Sequence, residues 1–141
     1  MSVAFILLPL FVEVGLTLVL LASTGLLRVG AMRRGEVAEK DVALRQPNWP
    51  PRLQKISNAY HNQLELPVLF YVLVILALFT KQADILFVAM AWMFVVSRLV
   101  HAGIHVTSNA MLPRFAVFVV GVAILAIMWI IFAARILVLG A

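Results

Sequence analysis

Long apolar runs constrain this chain more than anything else in it. Val3 to Leu27 is apolar almost throughout, interrupted by Pro9 and Glu13. At about 1.5 Å per helical residue, such a run crosses a ~30 Å hydrocarbon core. It reads as a membrane span and not as a secretory signal. No Lys or Arg precedes it, it is too long for the apolar part of a signal, and no small-x-small cleavage site follows it cleanly. Leu66 to Phe79 is wholly apolar but too short to cross alone. The second helix is therefore expected to reach back to about Ile56 and to carry Pro67 inside a continuous span, as membrane helices tolerate. Ile85 to about Ile104 gives a third span, and Phe115 to Leu139 a fourth. Composition agrees: 65% of residues are hydrophobic and 12% charged, with a mean hydropathy of +1.10. Soluble domains sit nearer half and a quarter. The expected fold is an all-α membrane protein, a four-transmembrane-helix bundle. It forms one domain over residues 1–141, with spans at about 3–27, 56–79, 85–104 and 115–139.

The charge distribution orients that bundle. Residues 28–55 hold seven of the eleven Lys and Arg residues. Basic residues beside membrane spans set topology and meet anionic lipid, so the net charge of +5 points to a membrane and not to nucleic acid. The positive-inside rule puts this first loop in the cytoplasm. Both termini and the turn at Lys81 then lie on the opposite side, and the turn at Asn109 lies inside. Gln46-Pro47-Asn48-Trp49-Pro50-Pro51 closes the loop as a rigid turn whose prolines suit a helix start, with Trp49 at headgroup level. Arg135, near the end of the fourth span, is expected to snorkel to the interface. The chain has no cysteine, which excludes a disulfide framework, a protein-thiolate nucleophile and a thiolate metal site.

Set side by side as an antiparallel pair, the second and third spans share a polar seam. Glu65 lies 14 residues before Phe79, and Arg98 lies 14 residues after Asp84. Both then sit roughly 21 Å below the connecting turn. One helical turn deeper come Asn62 and His101, and another turn deeper Asn58 and His105. Each set falls on one helical face. A Glu65–Arg98 pair can simply hold two helices together, but ionisable residues within a span are functional candidates by default. Glu13 in the first helix is a second candidate partner for Arg98, or a protonated carboxyl. His101 and His105, four apart with His61 opposite, have metal-ligand spacing but no metalloenzyme signature such as HExxH, so no metal is assigned. Arg114 opens the fourth helix at the loop side. It is either an interfacial anchor or a cation at the mouth of the seam. In the second role it could bind an anionic ligand or lower the pKa of a ligand thiol, one carried in by glutathione for instance.

These residues resemble a known pattern. Asn62-x-x-Glu65 followed by Pro67 and an apolar run is similar to the second-helix signature of the MAPEG family, the membrane-associated proteins of eicosanoid and glutathione metabolism. Arg98-x-x-His101, with Arg114 sixteen residues after Arg98, resembles the matching region of microsomal prostaglandin E synthase. The resemblance implies a homotrimer with glutathione, as cosubstrate, in a crevice between neighbouring subunits near the cytoplasmic side. Asn62 and Glu65 would match glutathione-binding positions, with Arg98 and His101 lining the crevice. Arg114 would match the arginine that stabilises the thiolate, and Arg28 a basic residue that grips a carboxylate of the ligand. His105 stands where many members have a tyrosine near glutathione, and Asn58 where many have an arginine. The implied function is a glutathione transferase or peroxidase-like enzyme acting on a lipophilic small molecule from the bilayer. The alternatives are a non-catalytic membrane subunit of the same fold, and a small proton-linked transporter or metal protein using Glu65, His101 and His105.

Overall fold

A computed structural model describes residues 1–138 and 140. The described residues form five α-helices: α1 (Val3–Arg33), α2 (Pro51–Asn62), α3 (Leu66–Phe79), α4 (Ile85–Val106) and α5 (Met111–Leu137). A single 3-10 turn, Glu39–Asp41, lies in the first loop. Taking α2 and α3 as one segment, four helices are long and apolar enough to cross a membrane: Val3–Arg33, Pro51–Phe79, Ile85–Val106 and Met111–Leu137. The chain is thus an all-helical, multi-pass integral membrane protein. The predicted end of the fourth span, Leu139, lies outside the described residues.

Local sequence sets most of the helix ends. The Ser2 hydroxyl accepts the Phe5 N–H at 3.3 Å, and the Asp84 carboxylate accepts the Phe87 N–H at 2.8 Å, so α1 and α4 start on N-caps. Pro51 opens α2, where a missing N–H costs nothing. α1 runs six residues beyond the predicted Leu27. It stops where Gly35 takes a left-handed φ of 69° and the Gly35 and Glu36 N–H groups turn back onto Met32 and Ala31. The predicted loop 28–55 accordingly contracts to residues 34–50.

The second span departs from expectation. It is not one continuous helix: α2 ends at Asn62, and Gln63, Leu64 and Glu65 are non-helical. Pro67 supplies the reason. In an unbroken helix its ring would collide with the carbonyl four residues back, that of Gln63, and its nitrogen could not donate there. Glu65 absorbs the break at φ −100° and ψ −101°, and Pro67 enters the first turn of α3.

α4 is the most buried of the four spans. At the end of the bundle that carries the 80–84 turn, Phe70, Leu73, Val74 and Ala77 of α3 close on Phe87, Ala91, Phe94 and Val95 of α4, with Leu125 and Met128 of α5. The Phe70 and Phe94 rings stack at 4.8 Å. Gly121 lets α5 approach α4: a Cβ there would meet the Ser97 hydroxyl at 2.9 Å. Arg135 does not simply snorkel outward. It donates to Asp84 Oδ2 at 2.7 Å and to the Gln82 carbonyl at 3.3 Å, tying α5 to the turn. At the other end, beside the 34–50 loop, a smaller buried apolar cluster is formed by Leu20, Ala59 and Ala102.

Candidate functional site

The site begins where the second span breaks. Asn62, the last residue of α2, faces the loop-side half of α4 and the first turns of α5. There a groove of about 310 Å³ is lined by Asn62, His101, His105, Met111, Arg114, Phe115 and Phe118. α4 supplies the histidines from one face, four residues apart, with ring centroids 5.8 Å apart and edge-on to each other. Both are buried, and neither Nδ1 has a hydrogen-bond partner. Phe118 packs on His101 at 5.9 Å. Arg114 projects from the start of α5 and donates to Asn109 Oδ1 in the preceding turn. Asn109 takes a left-handed φ of 54°, which Asn tolerates better than most residues. Lys55 donates to the Thr107 carbonyl at 3.1 Å, fastening α2 to the end of α4.

Arg28 belongs to a second cleft, of about 500 Å³, between the first loop and α2. Arg28, Arg45, Trp49, Ser57, Asn58 and His61 are among its lining residues. Arg28 donates to the Ser57 hydroxyl at 2.7 Å and sits 5.1 Å from the Trp49 ring centroid, a cation–π contact. Trp49 is thus an aromatic wall of a cationic cleft. Asn58, expected in the seam with His105, instead accepts a hydrogen bond from Gln54 at 2.7 Å in this cleft.

The expected Glu65–Arg98 pair is not formed in the protomer. The described residues make two ion pairs, Arg34–Glu36 and Arg135–Asp84, both outside the seam. Glu65 is exposed beside the break, while Arg98 is buried beneath it and donates from Nη2 to the Asn62 carbonyl at 3.2 Å. The break is the physical reason: it ends the helical register that would have put Asn62 and Glu65 on one face. Of the predicted site residues, Asn62, His101, His105 and Arg114 therefore come together. Arg28 lies in another cleft, Glu65 faces outward, and Arg98 supports the groove from below.

Sequence reasoning missed the apolar side of the groove, formed by Met111, Phe115 and Phe118, because these residues look like any other span. It also missed Gln63, fully buried with both amide atoms unpartnered. Its position four residues before Pro67 was the available signal. No curated protein and no solved structure matches the chain. The model for the MAPEG family, however, matches residues 6–134, nearly the whole bundle and every residue of the groove, and the chain belongs to that family of membrane proteins of glutathione and eicosanoid metabolism.

Proposed function

We propose that the protein is a membrane-embedded glutathione transferase or peroxidase-like enzyme that activates the glutathione thiol for attack on a lipophilic electrophile. The observation that carries this reading is the groove itself. A guanidinium, an amide and two imidazoles line it together with the apolar side chains of Met111, Phe115 and Phe118. A polar cosubstrate and an apolar electrophile can meet there. Arg114 is the catalytic group. A cation beside a thiol favours the thiolate, and each unit of pKa lowering corresponds to about 1.4 kcal/mol of preferential stabilisation. The thiolate sulfur bonds to the electrophilic carbon, whose leaving group departs with the bonding pair, and the thiol proton passes to solvent.

The two clefts divide the ligand's needs. The groove offers Asn62, His101, His105 and Arg114 to the thiol end, and the loop-side cleft offers Arg28 and Arg45 to a carboxylate. They share no lining residue, and in this reading one bound tripeptide draws on the groove of one copy and the cleft of another. A homotrimer of four-span protomers provides that arrangement, with exposed Glu65 at the boundary holding the ligand's amino group. The loop and both clefts face the cytoplasm, the termini face the opposite side, and membrane lipid surrounds the apolar faces.

The test is direct. Adding glutathione to the purified protein should produce thiolate absorbance in the ultraviolet, heat of binding by calorimetry, and conjugation of a generic aryl halide. Absence of all three sinks the reading. One observation favours a second reading, a non-catalytic membrane subunit: Asn58 brings an amide already engaged by Gln54 to the cleft, not a charge. Co-purification with a larger complex whose assembly and activity survive both Glu65→Gln and Arg114→Ala would support it over the enzyme.

A further inference from the structure

We infer that a third cleft, between the end of α1 and the start of α2, holds the phosphate of an anionic phospholipid from the leaflet on the loop side. This cleft has a volume of about 180 Å³ and shares no lining residue with the groove or with the Arg28 cleft. Buried Ala31 and Leu53, with half-buried Leu27, give it an apolar base. Arg34, Arg52 and Glu36 are exposed and give it a charged rim.

The rim suits an anion. Arg34 donates from Nε and Nη2 to the Glu36 carboxylate at 2.6 and 3.3 Å. Its Nη1 is free of that carboxylate and lies against α1 at Gly30, 3.0 Å from where a Cβ would stand. Pro51, whose ring fixes its φ, opens α2 and is followed directly by Arg52. Arg52 takes part in neither ion pair of the described residues. The one acid of the rim is therefore already engaged, and the two guanidiniums leave a net positive charge. Planar guanidiniums match phosphate oxygens better than a point charge does.

Depth identifies the source of that phosphate. Leu26, Val29 and Met32 are exposed and apolar, so hydrocarbon reaches to about Met32 along α1. Arg33 and Arg34 follow at once and mark the headgroup level. From Leu27 to Arg34 the cleft climbs about 10 Å along the helix axis. It begins beside acyl chains and opens among headgroups. A soluble phosphate would use the rim alone. A phospholipid uses both parts, with its phosphate between the arginines and its glycerol over Leu27 and Leu53. A choline headgroup would bring a cation to this rim, so the cleft favours lipids with a net negative headgroup.

Native mass spectrometry tests the inference. Full chain is released from detergent micelles doped with phosphatidylglycerol or phosphatidylcholine of matched acyl chains. It should keep the former and lose most of the latter. Arg34→Gln and Arg52→Gln should each weaken retention of phosphatidylglycerol by roughly fivefold. Arg33→Gln and Lys40→Gln remove the same charge from the same region but do not line this cleft, and should weaken retention by less than about twofold. Thermal unfolding without lipid should match the parent's for all four variants, because each replaced side chain is exposed. The inference is overturned if phosphatidylcholine is kept equally well, or if the Arg33 and Lys40 variants lose as much lipid as the cleft variants. It is also overturned if glycerol phosphate, the same phosphate without acyl chains, displaces the lipid at equal concentration, since the site would then be one for a soluble anion. Glutathione is absent from the readout, so a protein that binds none still decides the question.

Discussion

At the turn end of the bundle, Phe70, Leu73, Val74, Phe87, Ala91, Phe94 and Val95 fill the interior with apolar side chains, two of them stacked rings. At the loop end, the same two helical segments bury Gln63, Arg98, His101 and His105, each with a polar atom left unpartnered. Lipid tails are as apolar as leucine, so burying apolar groups gives helices in a membrane little reason to associate. Close packing has to supply the cohesion. The turn end does that. The loop end instead buries polar groups, which under the proposed function serve a ligand. Two features set the local geometry: Gly121 against Ser97, beside Arg98, where α5 approaches α4, and Pro67 where the second span breaks.

The comparison predicts that damage at the two ends will be felt differently. Phe94→Ala removes a fully buried ring from the turn end and should cost about 3–5 kcal/mol of stability. Denaturant or thermal unfolding in detergent measures this, and catalytic activity per folded molecule should survive. Arg114→Ala should do the reverse. Conjugation should fall by roughly 10²-fold, by analogy with removing one stabilising donor from a developing anion, while stability changes by less than about 1 kcal/mol. An Arg114→Ala protein that unfolds readily but conjugates normally would reverse the assignment of the two ends. Gly121→Ala should cost about 1–3 kcal/mol, because its new Cβ would press on the Ser97 hydroxyl 2.9 Å away. Ser97→Ala in the same chain should return most of that, which identifies the clash and not the backbone as the cause.

How much of this the sequence disclosed depended on the distance over which the controlling forces act. The spans were legible because hydrocarbon thickness imposes a length and composition that any window of residues reveals. The association of Asn62, His101, His105 and Arg114 was legible because helical periodicity carries side-chain direction along a span. Glu65 was misplaced for the same reason. Periodicity was carried through the break at 63–65, which the ring and missing N–H of Pro67 impose. Glu13 had been noted only as one partner among others for Arg98. Its burial depends on how α1 packs against α4, which no local pattern encodes. The separation of Arg28 from the groove likewise follows from how α1 packs against α2, where Arg28 bonds Ser57.

The smallest predicted effect belongs to the one ion pair among the described residues that joins the transmembrane elements, Arg135 with Asp84. Partial burial tends to raise the Asp84 pKa, but hydrogen bonds from Arg135 and from the Phe87 N–H outweigh it, and the carboxyl is held below its ordinary 3.8. A lowered folded value means that the charged form contributes stability above pH 3.8, and that this contribution is lost as acid carries the pH down through the folded value. Both side chains are partly exposed, at 25% and 46%, so screening limits the pair to about 0.3–1 kcal/mol. Asp84→Asn isolates that contribution, since Asn caps a helix about as well as Asp and the bond from the Phe87 N–H can persist. The variant should lose that small increment at neutral pH and match the parent once the pH falls below the folded value of the Asp84 carboxyl, in unfolding measured across the acid range. Asp84→Ala should lose about 1 kcal/mol more at every pH, because it also removes the cap. If Asp84→Asn retained the parent's acid sensitivity in full, the turn end would owe nothing to this charge, and its cohesion would rest on apolar packing alone.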